Sequence, residues 1–292
     1  MNNIQPINIA SLKRKYDLKF KKGLGQNFLV DAQALKRIAE VGEISPQDTV
    51  LEIGAGIGHL TRYLAVDAKQ VIAVELDKRL IPPLEEVLAP YNNVRIVQGD
   101  ILNLKPQELV PEGNYIVVAN IPYYITSAII RHLLEADAKP SRIILTIQRE
   151  VAQRICAAAG KMSVLALSVQ VYGEPYITSR IPAGAFHPPP KVDSASICID
   201  LFSDPLVPHE KIDLFFKLVK AGFLHKRKTL RNSISAGMGW EKGQTEALLE
   251  TSGIDSQRRA QTLSLPEWIE VTAQYDKMRK SEPRDIEEIL AE

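Results

Sequence analysis

Between Thr49 and about Glu150 the chain alternates short, unbroken apolar runs with amphipathic stretches. The runs are TVLEIG from Thr49, VIAVEL from Val71, VRIVQG from Val94, YIVVAN from Tyr115 and RIILTIQ from Arg142. Stretches such as GHLTRYLA and ITSAIIRHLLE between them carry helical spacing. Strands without polar alternation, separated by helices, predict a parallel sheet covered on both faces. Two later runs, VLALSVQVY from Val164 and SASICIDLF from Ser194, also read as strands. The Pro-rich loop FHPPPKV, from Phe186, separates them, so the β-rich part ends near Phe202. After Asp204-Pro205 the period changes to that of helices, in IDLFFKLVKAGF, KTLRNSISA, QTEALLETSG and PEWIEVTAQYDKM. Pro266 suits the first turn of the last helix, with Ser264 as its cap. The pattern divides the chain into a basic N-terminal extension over 1–22, an α/β domain over 23–204 and a helical domain over 205–292. The highly charged residues beyond Arg279 are expected to fray.

Composition narrows the class. The chain has 292 residues, 45% hydrophobic and 24% charged, which excludes a fibrous or wholly disordered chain. No apolar run approaches the ~18 residues that a membrane span needs. The opening MNNIQPINIASLKRKYDLKFKKG is polar and then basic, without an apolar signal core. The two cysteines, Cys156 and Cys198, have no metal-ligand spacing and read as reduced thiols of a cytoplasmic protein. No set of His, Cys and carboxylate ligands suggests a metal. With 36 basic and 35 acidic residues the net charge is +1, so only local clusters of charge point to a partner.

The chemistry concentrates at strand ends. Glu52-Ile53-Gly54-Ala55-Gly56-Ile57-Gly58 follows the first strand and opens a helix. Alone it is either an ordinary β-to-α turn or a cradle for a ligand, since glycines let backbone approach closely. Its G-x-G-x-G spacing differs from the G-x-G-x-x-G of dinucleotide binders, and no hydride-transfer site is evident, which disfavours an NAD-linked oxidoreductase. Glu75 ends the next strand, where a carboxylate accepts hydrogen bonds from ribose hydroxyls. Asp100 ends the one after, placed either as a plain loop aspartate or as an acceptor for an adenine amine. Together these anchors favour a nucleoside cofactor in the crevice at the carboxyl ends of the strands.

Asn120-Ile121-Pro122-Tyr123 ends the fourth strand. Asn and Pro are ordinary turn residues, but the tetrapeptide also suits one reaction. The Asn120 side-chain oxygen and the Ile121 carbonyl can both accept from a single amino group. Pro122 stiffens the turn and has no competing N–H, and Tyr123 offers a flat face to a base. The nitrogen of an aromatic amine is a poor nucleophile because its lone pair is delocalised into the ring. Two acceptors off the ring plane favour the tetrahedral nitrogen that forms on attack, so they act mainly in the transition state.

In order along the chain stand GQNFLVD from Gly25, LEIGAGIGHLT from Leu51, VELD from Val74, Gly99-Asp100, NIPYYITS from Asn120, FHPPPKVDS from Phe186 and HKRKTLRN from His225. This series resembles the ribosomal RNA adenine dimethyltransferases of the small-subunit type, from about Lys21 to Trp268. The resemblance implies an α/β fold of the class I S-adenosylmethionine methyltransferases, Rossmann-like with a seven-stranded mixed sheet, plus a small all-helical C-terminal domain. It implies dimethylation of the 6-amino groups of two adjacent adenosines in a hairpin near the 3′ end of 16S rRNA, during small-subunit biogenesis. The donor would be S-adenosyl-L-methionine and the product S-adenosyl-L-homocysteine. By position, Asn27 and Leu29 resemble contacts to the methionine part of the donor, Gly54 the loop glycine, Glu75 the ribose ligand and Asp100 the adenine ligand. Asn120 resembles both a donor neighbour and the catalytic acceptor. Tyr123 and Phe186 resemble an aromatic pair that sandwiches the target adenine. Ile121 stands where the family commonly has leucine, at a position that uses only its carbonyl.

Two basic clusters are either solvated charge or phosphate contacts. Lys13, Arg14, Lys15, Lys19, Lys21 and Lys22 form the first; Lys226, Arg227, Lys228 and Arg231 form the second, with Lys217 and Lys220 upstream. Beside a base-modifying site they are expected to hold RNA backbone. The expected partner is 16S rRNA in an immature small ribosomal subunit, bound by a monomer, with no membrane. The alternatives are a 23S rRNA methyltransferase of the macrolide-resistance type, and an assembly or transcription factor that keeps this fold without catalysis. The run HKRKTLRN favours the small-subunit enzyme.

Overall fold

A computed structural model describes residues 4–18 and 25–281. Lys19, Lys21 and Lys22 of the first basic cluster, and most of the charged tail past Arg279, lie outside the described residues. The chain forms two compact units, one from residues 1–156 and 173–202, the other from 157–172 and 203–292.

The first unit is built on a seven-stranded sheet. Its strands are β1 (Thr49–Ile53), β2 (Gln70–Glu75), β3 (Val94–Gln98), β4 (Tyr115–Asn120), β5 (Arg142–Gln148), β6 (Gly173–Ile181) and β7 (Ser194–Leu201). They lie in the order β3-β2-β1-β4-β5-β7-β6. The first five are parallel, while β7 runs antiparallel to both β5 and β6. The strand order reverses direction at β1, which opens a crevice at its carboxyl end between β2 and β4. The central strands are buried except for Asn120 at the end of β4, because helices cover both faces, which is why their sequences lack polar alternation.

All five parallel strands coincide with the apolar runs, and β7 with SASICIDLF. The run from Val164 does not: Val164–Gln170 is a helix. Ser163 caps it by accepting from Ala166 N at 3.1 Å, and Ala166, Leu167 and Val169 are buried. A short apolar run fits a buried helix as well as a buried strand. Here the cap decides the matter. The strand that fills the sheet instead is β6, GEPYITSRI, whose polar residues and Pro175 hid it; it is the sheet's edge strand, where proline is tolerated.

The same segment moves a boundary. Residues 157–172, expected in the α/β domain, belong to the helical unit, with Gly160 N and Met162 N donating to Gln261 O and Leu206 N to Val171 O. The N-terminal residues, expected as an extension, join the first unit: Leu12 and Leu18 pack in one cluster with Phe28, Ile57 and Leu80. Arg62 donates to the Gln5 carbonyl at 2.6 Å.

The helical unit consists chiefly of Val164–Gln170, Ile212–Phe223, Leu230–Met238, Lys242–Thr251 and Leu265–Ser281. Trp268 is fully buried at its centre and stacks on Phe223, with ring centroids 5.9 Å apart. Gly222 faces the Trp268 indole so closely that a Cβ would lie 2.3 Å from Cη2. Ser264 and Glu267 cap the last helix reciprocally: Ser264 N donates to Glu267 Oε2 at 2.7 Å and Glu267 N to Ser264 Oγ at 3.4 Å.

Candidate active site

The crevice outside β1 is a partly open cleft. Its floor is the turn after β1. Gly54, at φ +77°, has a backbone conformation that side chains resist, and a Cβ there would point at the Asn120 carbonyl 3.5 Å away. Gly56 leaves room for the Phe28 ring, which a Cβ would meet at 2.8 Å. The bare backbone lets a ligand lie directly on the strand end.

Glu75 forms one wall and is held rigidly. Its Oε2 accepts from Gly56 N and its Oε1 from Asp77 N, both at 2.7 Å. Burial pushes its carboxyl pKa up, opposed by those N–H groups. Two short bonds to backbone fix the plane of the carboxylate, leaving lone pairs directed by that geometry toward the cleft they line. Beside it, Asp77 is paired with Arg79, whose guanidinium holds it down to about 2, and accepts from Gln26 Nε2 at 2.8 Å. That bond ties the Gly25–Phe28 segment to the end of β2. Asp100 lies at the end of β3 and caps the following turn, its Oδ1 accepting from Leu102 N at 3.0 Å.

Asn120 closes the far wall. Its Nδ2 donates to the Asn27 carbonyl at 3.2 Å, which leaves Oδ1 as the acceptor of the amide. Pro122 follows at the mouth, its Cβ packed where Gly25 lacks a side chain. Tyr123 is half-buried, its hydroxyl 2.6 Å from Ser194 Oγ, and burial raises its pKa.

The cleft thus gathers Asn27, Gly54, Glu75, Asp100, Asn120 and Pro122. Ile121, Tyr123 and Phe186 are not among the residues that line it. Phe186 is only 3% exposed and belongs to a core cluster with Leu29, Ile181 and Ala185, in a short strand pair that sets Leu29 opposite Phe186. In this arrangement almost no ring surface is open to a base, because the apolar core claims it. Leu29 is likewise a core side chain, although it borders a smaller cavity behind the glycine turn, shared with Glu52, His59 and Asn120. Glu52 there is 1% exposed, and burial drives its pKa up to about 8; burial lowers that of His59 to about 4.

Sequence reasoning missed Gln26, Phe28, Leu76, Asp77, Ile101 and Tyr124, all of which line the cleft. Gln26 and Phe28 sit inside the GQNFLVD motif, and Leu76 and Asp77 inside VELD, so their neighbours were the available signal.

In the helical unit, Lys226, Arg227 and Lys228 lie exposed in the turn between Ile212–Phe223 and Leu230–Met238. Arg231 differs from them: it is half-buried and ion-paired to Glu246 within the unit. Its guanidinium already has an ionic partner inside the unit. In the first cluster, Lys15 pairs with Glu86 at 2.5 Å. Among the described residues no group of three or more His, Cys, Asp or Glu side chains could hold a metal, and no helix is long and apolar enough to cross a membrane.

Residues 17–277 match the model of a family described as ribosomal RNA adenine dimethylase. The chain is 45% identical over 261 residues to the Ribosomal RNA small subunit methyltransferase A of Dehalococcoides mccartyi (strain CBDB1), covering 89% of this chain and 90% of that one. It is 41% identical over 270 residues to the protein of the same name from Alkaliphilus oremlandii (strain OhILAs), covering 90% and 94%. Among solved structures it resembles the 23S rRNA methyltransferase ErmE, with a TM-score of 0.71 and 30% identity over 86% of this chain and 100% of that one. A dimethyladenosine transferase from Plasmodium falciparum superposes with a TM-score of 0.73 at 25% identity, over 85% and 96% of the two chains.

Proposed function

The chain belongs to the ribosomal RNA adenine dimethylase family, and from that premise we propose that it dimethylates the 6-amino groups of two adjacent adenosines near the 3′ end of 16S rRNA. The substrate is the RNA of an immature small ribosomal subunit, met in the cytoplasm by a monomer. The methyl donor is S-adenosylmethionine, and the cleft fits it. The bare glycine turn admits its backbone-sized methionine part, Glu75 suits ribose hydroxyls and Asp100 suits the adenine amine. When bound, the donor supplies an electrophilic methyl group on a sulfonium, which an amine displaces in line.

The chain's own residues do the rest. In the first transfer Asn120 Oδ1 and the Ile121 carbonyl accept the two N–H bonds of the target amine and hold its nitrogen out of plane; in the second, one of them accepts the single N–H that remains. This pulls the lone pair out of the ring and toward the methyl group. The N–C bond forms, the S–C bond breaks, and the proton that becomes acidic leaves to water, so no strong base is needed. Holding both reactants aligned supplies much of the acceleration. Tyr123, steadied by Ser194, supports the base. Lys226, Arg227 and Lys228 hold phosphates and set the position of the RNA without reading its sequence.

One observation carries the reading: the Asn27 carbonyl takes the Asn120 NH2, which leaves the amide oxygen of a cleft-lining residue as an acceptor. The small-subunit assignment is favoured over the large-subunit one by the 45% identity to a small-subunit enzyme, against 30% to ErmE. Mass spectrometry of rRNA incubated with the purified protein and isotopically labelled donor tests it. Two N6,N6-dimethyladenosines are expected in 16S rRNA. Label confined to 23S rRNA, or absent from adenosine, rejects the reading.

A further inference from the structure

We propose that Tyr124 is the stacking platform for the nucleobase adjoining the target adenosine, and therefore a substrate-binding residue that decides how the RNA presents its pair of adenosines. The proposal rests on the function proposed above.

Tyr123 and Tyr124 are neighbours on one tight turn with opposite fates. Tyr123 turns inward to Ser194. Tyr124 is 62% exposed, the highest value for a large apolar side chain among the described residues. It nevertheless lines the same cleft as Asn120 and Pro122. Gly25, at φ +62°, leaves its backbone bare beside it, and a Cβ on Gly25 would lie 3.5 Å from Tyr124 Cε1 and 2.9 Å from Pro122 Cβ. One edge of the ring thus lies on the side of Gly25 that bears no Cβ, while most of the side chain is exposed. A tyrosine this exposed contributes little to the core, and its position at the mouth of a reaction cleft suits recognition.

The chemistry of the occupant follows from what the cleft must admit. A base whose amino group is to be methylated has to leave its stack to enter. Its neighbour then loses a stacking partner. A flat aromatic face beside the entry replaces that partner, and base–aromatic stacking tolerates any base because each has a π-face. The ring therefore holds the flanking nucleotide, which in this substrate is the other adenosine or the nucleotide before it.

The test compares wild type, Tyr124→Ala and Tyr124→Phe on small-subunit particles whose rRNA lacks these methyl groups. S-adenosylmethionine binding is measured separately by calorimetry. Losing a stacking face is expected to raise KM for the particles by about 5- to 100-fold in Tyr124→Ala. Tyr124→Phe, which keeps the ring, is expected to stay within about twofold of wild type. Donor affinity is expected to be unchanged in both. Weakened donor binding in Tyr124→Ala would make the ring a cover for the cofactor and overturn the proposal, as would an unchanged KM. If wild type itself transfers no methyl group to the particles, the parent reading fails and the proposal falls with it; an active wild type makes the comparison at Tyr124 decisive by itself.

Discussion

Replacing Glu52 by glutamine should flatten the dependence of stability on pH and stabilise the protein most above about pH 8. Glu52 sits within β1 with its Oε2 buried and unpartnered. Burial, reinforced by the nearby Glu75 charge and opposed by Thr61, raises its pKa from 4.5 to about 8. The folded protein therefore retains a proton that the unfolded chain releases above 4.5, and stability falls as pH rises from there to about 8. Each unit is worth ~1.4 kcal/mol, so the whole window amounts to something on the order of 5 kcal/mol. His59 acts in the opposite sense. Burial lowers its pKa from 6.5 to about 4, so its contribution is lost as pH falls through that range. The Glu52 and His59 effects overlap below pH 6.5; above it Glu52 still contributes about 2 kcal/mol up to pH 8. Glu52→Gln keeps the shape and neutrality of the protonated acid and cannot ionise. Urea unfolding of both proteins over a pH series from about 5 to about 9 measures the gap. The variant should gain on wild type by ~1.4 kcal/mol per unit and level off near pH 8. A gap that does not vary with pH would mean that Glu52 is already ionised in the folded protein, and would refute its burial as a neutral acid.

Three further outcomes follow from the same geometry. Asn120→Ala removes the oriented acceptor and should lower methyl transfer by about 10²–10³-fold, while the melting temperature stays near that of wild type; a radiolabel transfer assay beside thermal unfolding checks both. Gly222→Ala drives a methyl group into the Trp268 indole and should destabilise the helical unit by ~1–3 kcal/mol, read by tryptophan fluorescence on unfolding. Changing Lys226, Arg227 and Lys228 together to Ala should reduce the log–log salt slope of RNA binding by about 2, at ~0.7 per single-stranded phosphate released, and leave donor affinity untouched; an unaltered slope would remove these residues from the RNA interface.

The parallel strands were legible because burial on both faces removes polar residues, a pattern that loops and amphipathic helices do not share. The same logic hid β6, an edge strand with solvent on one side, and misread Val164–Gln170, where length and hydrophobicity fit either structure. At the site, strand-end residues such as Glu75, Asp100 and Asn120 could be found because topology puts carboxyl ends of neighbouring strands together. Positions set by packing were not so accessible. That Phe186 is sealed in the core, and that Arg231 spends its charge on Glu246, depends on partners far away in the chain. Tyr124 was overlooked because nothing in a run of two tyrosines says which one turns outward.

The excursion of residues 157–172 out of the sheet unit has a consequence for synthesis. The helix at Val164–Gln170 is made before β6 and β7, yet the Trp268 around which its unit is organised is made about a hundred residues later. At ~5–20 residues per second, its apolar face waits several seconds for company while the sheet is finished around it. A cut placed after Phe202 would strand that helix on the wrong fragment, so the two halves of this protein are not separable by a single scission.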